Sequence, residues 1–162
     1  MKRYDGTAEP LCSLDVSDVV SWIAAIPLEE WPQRDRMRAD YQYPAMVSNP
    51  VWHDFKAKTD GIVAHILGLF PGCWPDHRML SVVIPGQRVA VHTDVQSESW
   101  RVRIHVPLIT NPQAIFTIAG ADQHLEVGTA YLVNPEIEHS VANLGEIPRI
   151  HFFFDLREGK SA

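Results

Sequence analysis

From Arg78 onward, apolar residues tend to occupy every second position, which is the spacing of half-buried β-strands. Turn-forming residues interrupt this alternation at short intervals, so about eight short strands fit into the second half of the chain. The predicted strands are Arg78–Ile84, Gln87–Thr93, Arg101–Leu108, Ala114–Ala119, His124–Val127, Thr129–Val133, Ile137–Ala142 and Arg149–Asp155. Many short strands separated by turns predict a mainly β fold, either an antiparallel sandwich or a jelly roll.

The first part of the chain has a helical pattern with irregular connections. A short helix, capped by Asp15 or Ser17, is predicted to end near Ile26. A longer helix is predicted from Asp54 to Phe70, whereas 34–43 is too mixed in composition to assign. We expect these N-terminal helices to lie outside the β-rich part.

Length and composition restrict the organisation of the chain and its partners. The 162 residues suit one domain, 1–162, with a helical and irregular part at 1–76 and a β core at 77–157. The net charge is −6 and the basic residues are scattered, so nucleic acid and membrane surfaces are not expected partners. Two distant cysteines and the absence of a signal-like or spanning apolar stretch indicate a cytoplasmic protein.

A histidine and a carboxylate two residues apart are the first candidate for chemistry. His92 and Asp94 would share one face of a strand, opposite to Val89 and Val91. His139, from a later strand, would complete a set of two histidines and one carboxylate, which leaves positions open on iron(II). Taken alone, His139 between apolar neighbours is better explained as a hydrogen-bonded core histidine.

An arginine opens the last predicted strand. Arg149 shares a face with His151, Phe153 and Asp155, and burying its charge is costly unless an anion meets it. That anion is either an acid such as Glu146 at the strand end, or a carboxylate of a dicarboxylate cosubstrate such as 2-oxoglutarate.

The segment RVRIHVPL has polar residues on one side of a strand. Arg101, Arg103 and His105 alternate there with three apolar residues. A half-exposed sheet produces the same pattern. Inside a barrel, this face would instead be a cationic wall suited to anionic ligands.

The stretch SVVIPGQRVAVHTD, followed by RVRIHVPL and EVGTAYLVNPEIEHSVANLGEIPRIHFFFD, resembles the aspartyl/asparaginyl β-hydroxylase family. The resemblance spans 81–155, about half of the chain, and depends on the order of its motifs. It implies a double-stranded β-helix and an iron(II)- and 2-oxoglutarate-dependent dioxygenase that uses O2, with ascorbate as a supporting reductant in vitro. The substrate would be amino-acid-like, a small molecule or a peptide, and anionic or amide-bearing.

The resemblance also implies roles for single residues. Metal ligands of the family and its wider superfamily match His92, Asp94 and His139. Residues that bind the cosubstrate match Arg149, Ser81 and His105. Arginines near the substrate match Arg101 and Arg103. Animal members of the family carry glycine at the position of Asp94, so this chain has the fuller ligand set. Related halogenases lose this carboxylate to make room for a halide, so its presence predicts hydroxylation. Their loop after the first histidine is about two residues shorter, so substrate choice does not carry over.

Two other functions fit the sequence. His92, His105 and His139 could form a three-histidine site in a cupin-type metal enzyme that does not use 2-oxoglutarate. The barrel could also be a non-catalytic ligand-binding module whose histidines are structural. Formation of succinate that requires both iron(II) and 2-oxoglutarate would exclude the first alternative. Absence of any transition metal in the purified protein, with no thermal shift on adding iron and 2-oxoglutarate, would favour the second.

Overall fold

The computed structural model describes residues 1–27 and 49–159, which form two helices and nine strands. The helices are α1 (Ser17–Ala24) and α2 (Asn49–Leu69). The strands are β1 (Ala8–Ser13), β2 (Cys73–Val83), β3 (Arg88–His92), β4 (Trp100–Ile109), β5 (Ala114–Ile118), β6 (Ala121–Gln123), β7 (Thr129–Val133), β8 (His139–Asn143) and β9 (Arg149–Glu158). The segment 34–43, which the sequence does not assign, lies outside the described residues.

The strands form two antiparallel sheets. The larger sheet has the order β1-β7-β4-β9-β2, and the smaller one has the order β3-β8-β5-β6. A cluster of buried side chains from both sheets, including Phe116, Tyr131 and Val141, fills the space between them. The predicted mainly β jelly roll, a double-stranded β-helix, is confirmed.

The larger sheet buries its other face under the two helices. Alternate residues of β4 and β9, among them Ile104, Phe152 and Phe154, contact a cluster that includes Ile23 of α1 and Ile66 of α2. The helices therefore lie outside the sandwich, as predicted. Both faces of this sheet are covered, which holds β4 and β9 as rigid central strands. Among the described residues, no helix is long and apolar enough to cross a membrane.

Strand β1 was not predicted, because the N-terminal part of the sequence suggested helices. It pairs with β7, with Ala8 opposite Val133, and forms an edge of the larger sheet. Its sequence AEPLCS contains Pro10, and proline is tolerated in edge strands because one side of the strand makes no ladder bonds. Helix α1 also ends at Ala24, earlier than expected. The predicted cap is wrong, because the N-cap residue is Val16 and no side chain caps the helix, although Asp15 accepts the backbone N–H of Ser17.

The predicted strand His124–Val127 is wrong. The strand in this region is β6, and it pairs with β5 through Ile118 and Ala121. Ala119 and Gly120 form the two-residue turn between them, with φ of 52° and 75°. Two positive φ angles are typical of a type I′ hairpin, which Gly favours and Ala does not, so the sequence predicted the turn one residue later, at 120–122.

Gly128 packs closely against Leu14, the residue that follows β1, and substitution of this glycine tests the contact. Gly128 has φ of 74°, and a Cβ atom there would lie 3.0 Å from the carbonyl oxygen of Leu14. We expect Gly128→Ala to lower the free energy of unfolding by about 1–3 kcal/mol in urea denaturation. Gly61→Ala in α2, where a Cβ atom meets nothing within 4 Å, should instead raise it by about 0.5–1 kcal/mol. Equal effects of the two substitutions would contradict the described contact.

Candidate metal centre

A β-bulge in β3 determines the direction of His92. Val89 lies opposite Val141, but His92 rather than Val91 lies opposite His139, so β3 contains one extra residue. Val89 is 6% exposed and Val91 is 65% exposed. The prediction that both valines lie opposite to His92 is therefore wrong, because the bulge turns His92 to the side of Val89, into the cavity between the sheets.

The two histidines face each other across the pairing of β3 with β8. Their ring centroids lie 4.2 Å apart. Each Nδ1 lies 2.8 Å from a carbonyl oxygen two residues earlier in the chain, that of Ala90 for His92 and that of Ile137 for His139. A carbonyl oxygen only accepts, so each Nδ1 carries the proton and each Nε2 keeps a lone pair. This is the tautomer that metal-binding histidines adopt.

Asp94 reaches the same place from a loop. Strand β3 ends at His92, so the expectation of a strand continuing to Asp94 is not met. The backbone N–H of Asp94 instead donates to the carbonyl of Pro135 at 2.8 Å. Its Oδ1 atom lies 3.8 Å from Nε2 of His92, while its Oδ2 atom accepts a short hydrogen bond from Arg103.

One metal ion could contact all three side chains. Potential ligand atoms of His92, Asp94 and His139 lie within 4.8 Å of one another. Within residues 1–27 and 49–159, these three side chains form the group that could hold a metal ion. His105 is not part of that group, so the alternative three-histidine site is not assembled. Two imidazoles and one carboxylate on one side of an ion leave its other positions open, as in non-haem iron(II) enzymes.

The candidate ligands open into a cavity of about 360 Å³. Ser81 of β2, His105 of β4 and Arg149 of β9 also line it, so the structure brings the predicted cosubstrate residues together with the predicted metal ligands. The alternation predicted for β9 is confirmed, because Phe153 and Asp155 line the cavity while Phe152 and Phe154 join the opposite core.

Arg149 is a buried cation on this cavity wall. It is 1% exposed, and its NH2 atom lies 2.8 Å from Nδ1 of His151. A guanidinium group cannot accept a hydrogen bond, so His151 accepts with Nδ1 and carries its proton on Nε2. The suggested partner Glu146 is exposed at the surface.

Burial favours the neutral form of His105, His139 and His151. It lowers the pKa of His105 well below its usual value, and the charges of Arg103 and Arg149 act in the same direction. Burial also lowers the pKa of His151 well below its usual value, and the charge of Arg149 acts in the same direction. Burial also lowers the pKa of His139, although its hydrogen bond to Ile137 acts in the opposite direction. Neutral imidazole is the form that binds metals.

The two arginines of RVRIHVPL have different environments. Arg101 is not among the residues that line the cavity; its Nε atom donates to Glu158 at 2.7 Å and its NH1 atom donates to the carbonyl of Glu98 at 2.7 Å. Arg103 lines the cavity, but it is hydrogen-bonded to Asp94 and Asp155. The cationic wall expected from both arginines is therefore not formed.

Sequence reasoning gave no role to four polar residues of the cavity, Asp155, Arg157, His77 and Gln96. Asp155 was placed on the correct face of β9 but given no role, and Arg157 continues the same alternation beyond the predicted end of that strand. Arg157 donates from Nε to Asp76 at 2.6 Å. His77 also lines the cavity. It has φ of 49° and lies where the pairing of β2 with β9 is irregular, so the spacing of residues in the sequence does not predict its direction.

The comparison with known families agrees with this geometry. The family model described as aspartyl/asparaginyl beta-hydroxylase matches residues 47–158. The chain belongs to this family. It is therefore a 2-oxoglutarate-dependent hydroxylase, as predicted, and the non-catalytic alternative is not supported. No curated protein matches the chain.

Solved structures with the same fold include several oxygenases of low sequence identity. A viral collagen prolyl hydroxylase from Paramecium Bursaria Chlorella virus-1, in its 2-oxoglutarate complex, has a TM-score of 0.64 at 12% identity, covering 96% of this chain and 98% of that chain. A 2OG-Fe(II) oxygenase family oxidoreductase from Burkholderia pseudomallei has a TM-score of 0.65 at 9% identity, covering 100% and 96%. The α-ketoglutarate-dependent epimerase SnoN from nogalamycin biosynthesis has a TM-score of 0.70 at 10% identity, covering 93% and 77%. These similarities establish the fold.

The buried neutral histidines make stability depend on pH. Below pH about 6.5 the unfolded chain protonates its histidines, whereas folded His105 and His151 exclude the proton because their pKa values are lowered. The unfolded state then binds more protons, so the free energy of unfolding falls as pH decreases, by up to about 1.4 kcal/mol per pH unit for each histidine.

Urea denaturation between pH 7.5 and 5.5 measures this effect. His151→Asn keeps an acceptor for Arg149 but removes one titrating group, so its slope against pH should be smaller than that of the wild type. An unchanged slope in His151→Asn would contradict a buried neutral His151.

Proposed function

We propose that this chain hydroxylates an amino-acid-like substrate, either free or within a peptide, using iron(II) held by His92, Asp94 and His139. The observation that carries the proposal is that these three side chains converge to within 4.8 Å beside a cavity that also contains buried Arg149. A metal set and a cation for a dicarboxylate in one cavity are what a 2-oxoglutarate-dependent oxygenase requires.

The donor set fits iron(II). The Nε2 atoms of His92 and His139 and the Oδ1 atom of Asp94 would hold the ion. The hydrogen bonds from Nδ1 to the carbonyls of Ala90 and Ile137 support this assignment, because they fix both rings in the metal-binding tautomer. Nitrogen and oxygen ligands that leave several positions open suit an iron(II) oxygenase better than a closed structural site.

The far side of the cavity fits 2-oxoglutarate. Arg149 and Ser81 would bind its distal carboxylate by charge-assisted and hydroxyl hydrogen bonds. His105 would contact the same molecule. The Nδ1 atom of His105 is buried and has no hydrogen-bond partner among the described residues, although the side chain lines the cavity. A ligand in the cavity would remove this unfavourable state.

Bound together, iron(II) and 2-oxoglutarate supply the chemistry that inserts one oxygen atom of O2 into a C–H bond, with release of succinate and CO2. The chain positions the reactants, and Val89, Val141 and Phe153 give the cavity apolar walls. Arg149 is held by His151 before any ligand binds, so little side-chain entropy is lost when it binds a carboxylate.

The cavity supports a small substrate or a single side chain. Its volume of about 360 Å³ lies near the lower end of the range for ligand pockets. The charge of Arg103 is matched by Asp94 and Asp155, and that of Arg157 by Asp76. We therefore favour an amide-bearing or zwitterionic amino-acid-like substrate over a strongly anionic one. Mass spectrometry of amino acids and peptides for a gain of one oxygen, with iron(II), 2-oxoglutarate and ascorbate present, would identify it.

Removal of one proposed ligand tests the iron site. Wild-type protein should form succinate only when both iron(II) and 2-oxoglutarate are added. His139→Ala should abolish succinate formation and lower the bound iron, measured by elemental analysis after desalting, because two ligands hold the ion poorly. His65→Ala, at an exposed position, should behave like the wild type. Full iron occupancy in His139→Ala would remove His139 from the site.

The cosubstrate site is tested separately. Arg149→Ala should raise the dissociation constant for 2-oxoglutarate by about 10- to 100-fold, because a charge-assisted hydrogen bond is lost, while iron affinity changes little. Titration calorimetry under anaerobic conditions measures both. Arg88→Ala, an exposed arginine of β3, is the matched control. Unchanged affinity for 2-oxoglutarate in Arg149→Ala would count against the assignment.

A further inference from the structure

One proposed ligand needs a support that the strands do not supply. Asp94 lies beyond the end of β3, and its side chain is 34% exposed. Its backbone is fixed by the hydrogen bond to Pro135, but this bond does not restrict rotation of the carboxylate. Metal ligands are generally held by additional hydrogen bonds to groups that do not touch the metal.

Arg103 holds the carboxylate of Asp94 at one oxygen atom. Its NH1 atom donates to Oδ2 of Asp94. Its Nε and NH2 atoms donate to Oδ1 and Oδ2 of Asp155 at 2.8 Å and 3.1 Å. The guanidinium plane also lies over the ring of Phe153, 4.9 Å from its centroid. These contacts fix the planar group along its edge, its end and its face.

Asp155 connects this arginine to the core of the larger sheet. It is 0% exposed and lies directly opposite Arg103 in the pairing of β4 with β9. Its Oδ1 atom also accepts a hydrogen bond from Nε1 of buried Trp100 at 3.3 Å. A continuous set of hydrogen bonds therefore runs from Trp100 through Asp155 and Arg103 to Asp94.

We propose that Arg103 and Asp155 are positioning residues for Asp94 and make it bind the metal through a single oxygen atom. This inference rests on the proposed iron site. Oδ2 is occupied by Arg103, so Oδ1, which lies on the side of His92, is the atom left for the metal. Binding through both oxygens would take an extra coordination position that the cosubstrate or O2 needs. Holding Oδ2 therefore keeps the open side of the ion open.

The same contacts change the role of Arg103 from the one that the family resemblance implies. A substrate carboxylate would have to displace Asp94 or Asp155 from a guanidinium that already has two carboxylate partners. The two roles give different results in experiments without substrate. A positioning residue affects binding of the metal, whereas a residue that only binds substrate does not.

Substitution of Asp155, which is not a proposed metal ligand, tests the inference. Asp155→Asn removes one charge and one acceptor from behind Arg103 with little change in shape. We expect its dissociation constant for iron(II), measured anaerobically by titration, to rise by about 10- to 100-fold, as for other residues that support metal ligands. Glu158→Gln is the matched control, because Glu158 is also a β9 carboxylate paired with a β4 arginine, Arg101, outside the cavity. It should bind iron(II) like the wild type.

Spectroscopy separates this role from general destabilisation. The visible spectrum of the cobalt(II)-substituted protein reports coordination number, so Asp155→Asn should show an altered spectrum and Glu158→Gln should not. Arg103→Lys provides a second variant if Asp155→Asn does not fold, because lysine keeps the charge but cannot bind two carboxylates with a planar fork. It should also weaken iron(II) binding and alter the cobalt spectrum.

The outcomes are distinguishable. Wild-type iron affinity and an unchanged cobalt spectrum in Arg103→Lys or in folded Asp155→Asn would overturn the positioning role and leave the proposed iron site intact. Failure of the wild-type protein to bind iron(II) would overturn the proposed function and this inference together.

Discussion

The pairing of β3 with β8 is the constraint on which the candidate site depends. Without the extra residue in β3, the residue opposite His139 would be a valine. With it, two imidazoles lie side by side at the end of a two-stranded ladder, each with its Nδ1 atom hydrogen-bonded to its own strand. β-Bulges frequently redirect a side chain next to an active site, and here the bulge brings in one member of the ligand set.

Compensation of charge is the second requirement of this cavity. Its lining includes three arginines, two aspartates and several histidines in a volume that also needs apolar walls. Arg103 has aspartate partners, Arg157 has Asp76 just outside the lining, and Arg149 has the neutral acceptor His151. An arginine between two carboxylates has its charge matched within the chain, which supports the proposed positioning role of Arg103 over a substrate-binding role.

Much of this arrangement could be predicted from the sequence, because alternation and turns are local signals. The strands that carry Arg103, His105, His139 and Arg149 were located within a few residues. The convergence of His92 and Asp94 was also expected, but for a different reason: regular alternation was assumed, and a bulge followed by a loop produces the result. Bulges depend on the partner strand, so one strand alone does not reveal them. The contact of Arg103 with Asp155 joins strands that are distant in sequence, and edge strand β1 has no clear apolar pattern of its own.

The origin of the site residues in both sheets has a mechanical consequence. The two histidines belong to the smaller sheet, whereas Ser81, His105 and Arg149 belong to the larger one. The distance between the proposed iron site and Arg149 therefore depends on the thickness of the sandwich, to which core side chains such as Phe116 and Tyr131 contribute. A bulkier or smaller residue at those interior positions would change the distance between the two sheets and therefore between the two halves of the candidate site. Selection on the volume of the core is thus also selection on the geometry of the site.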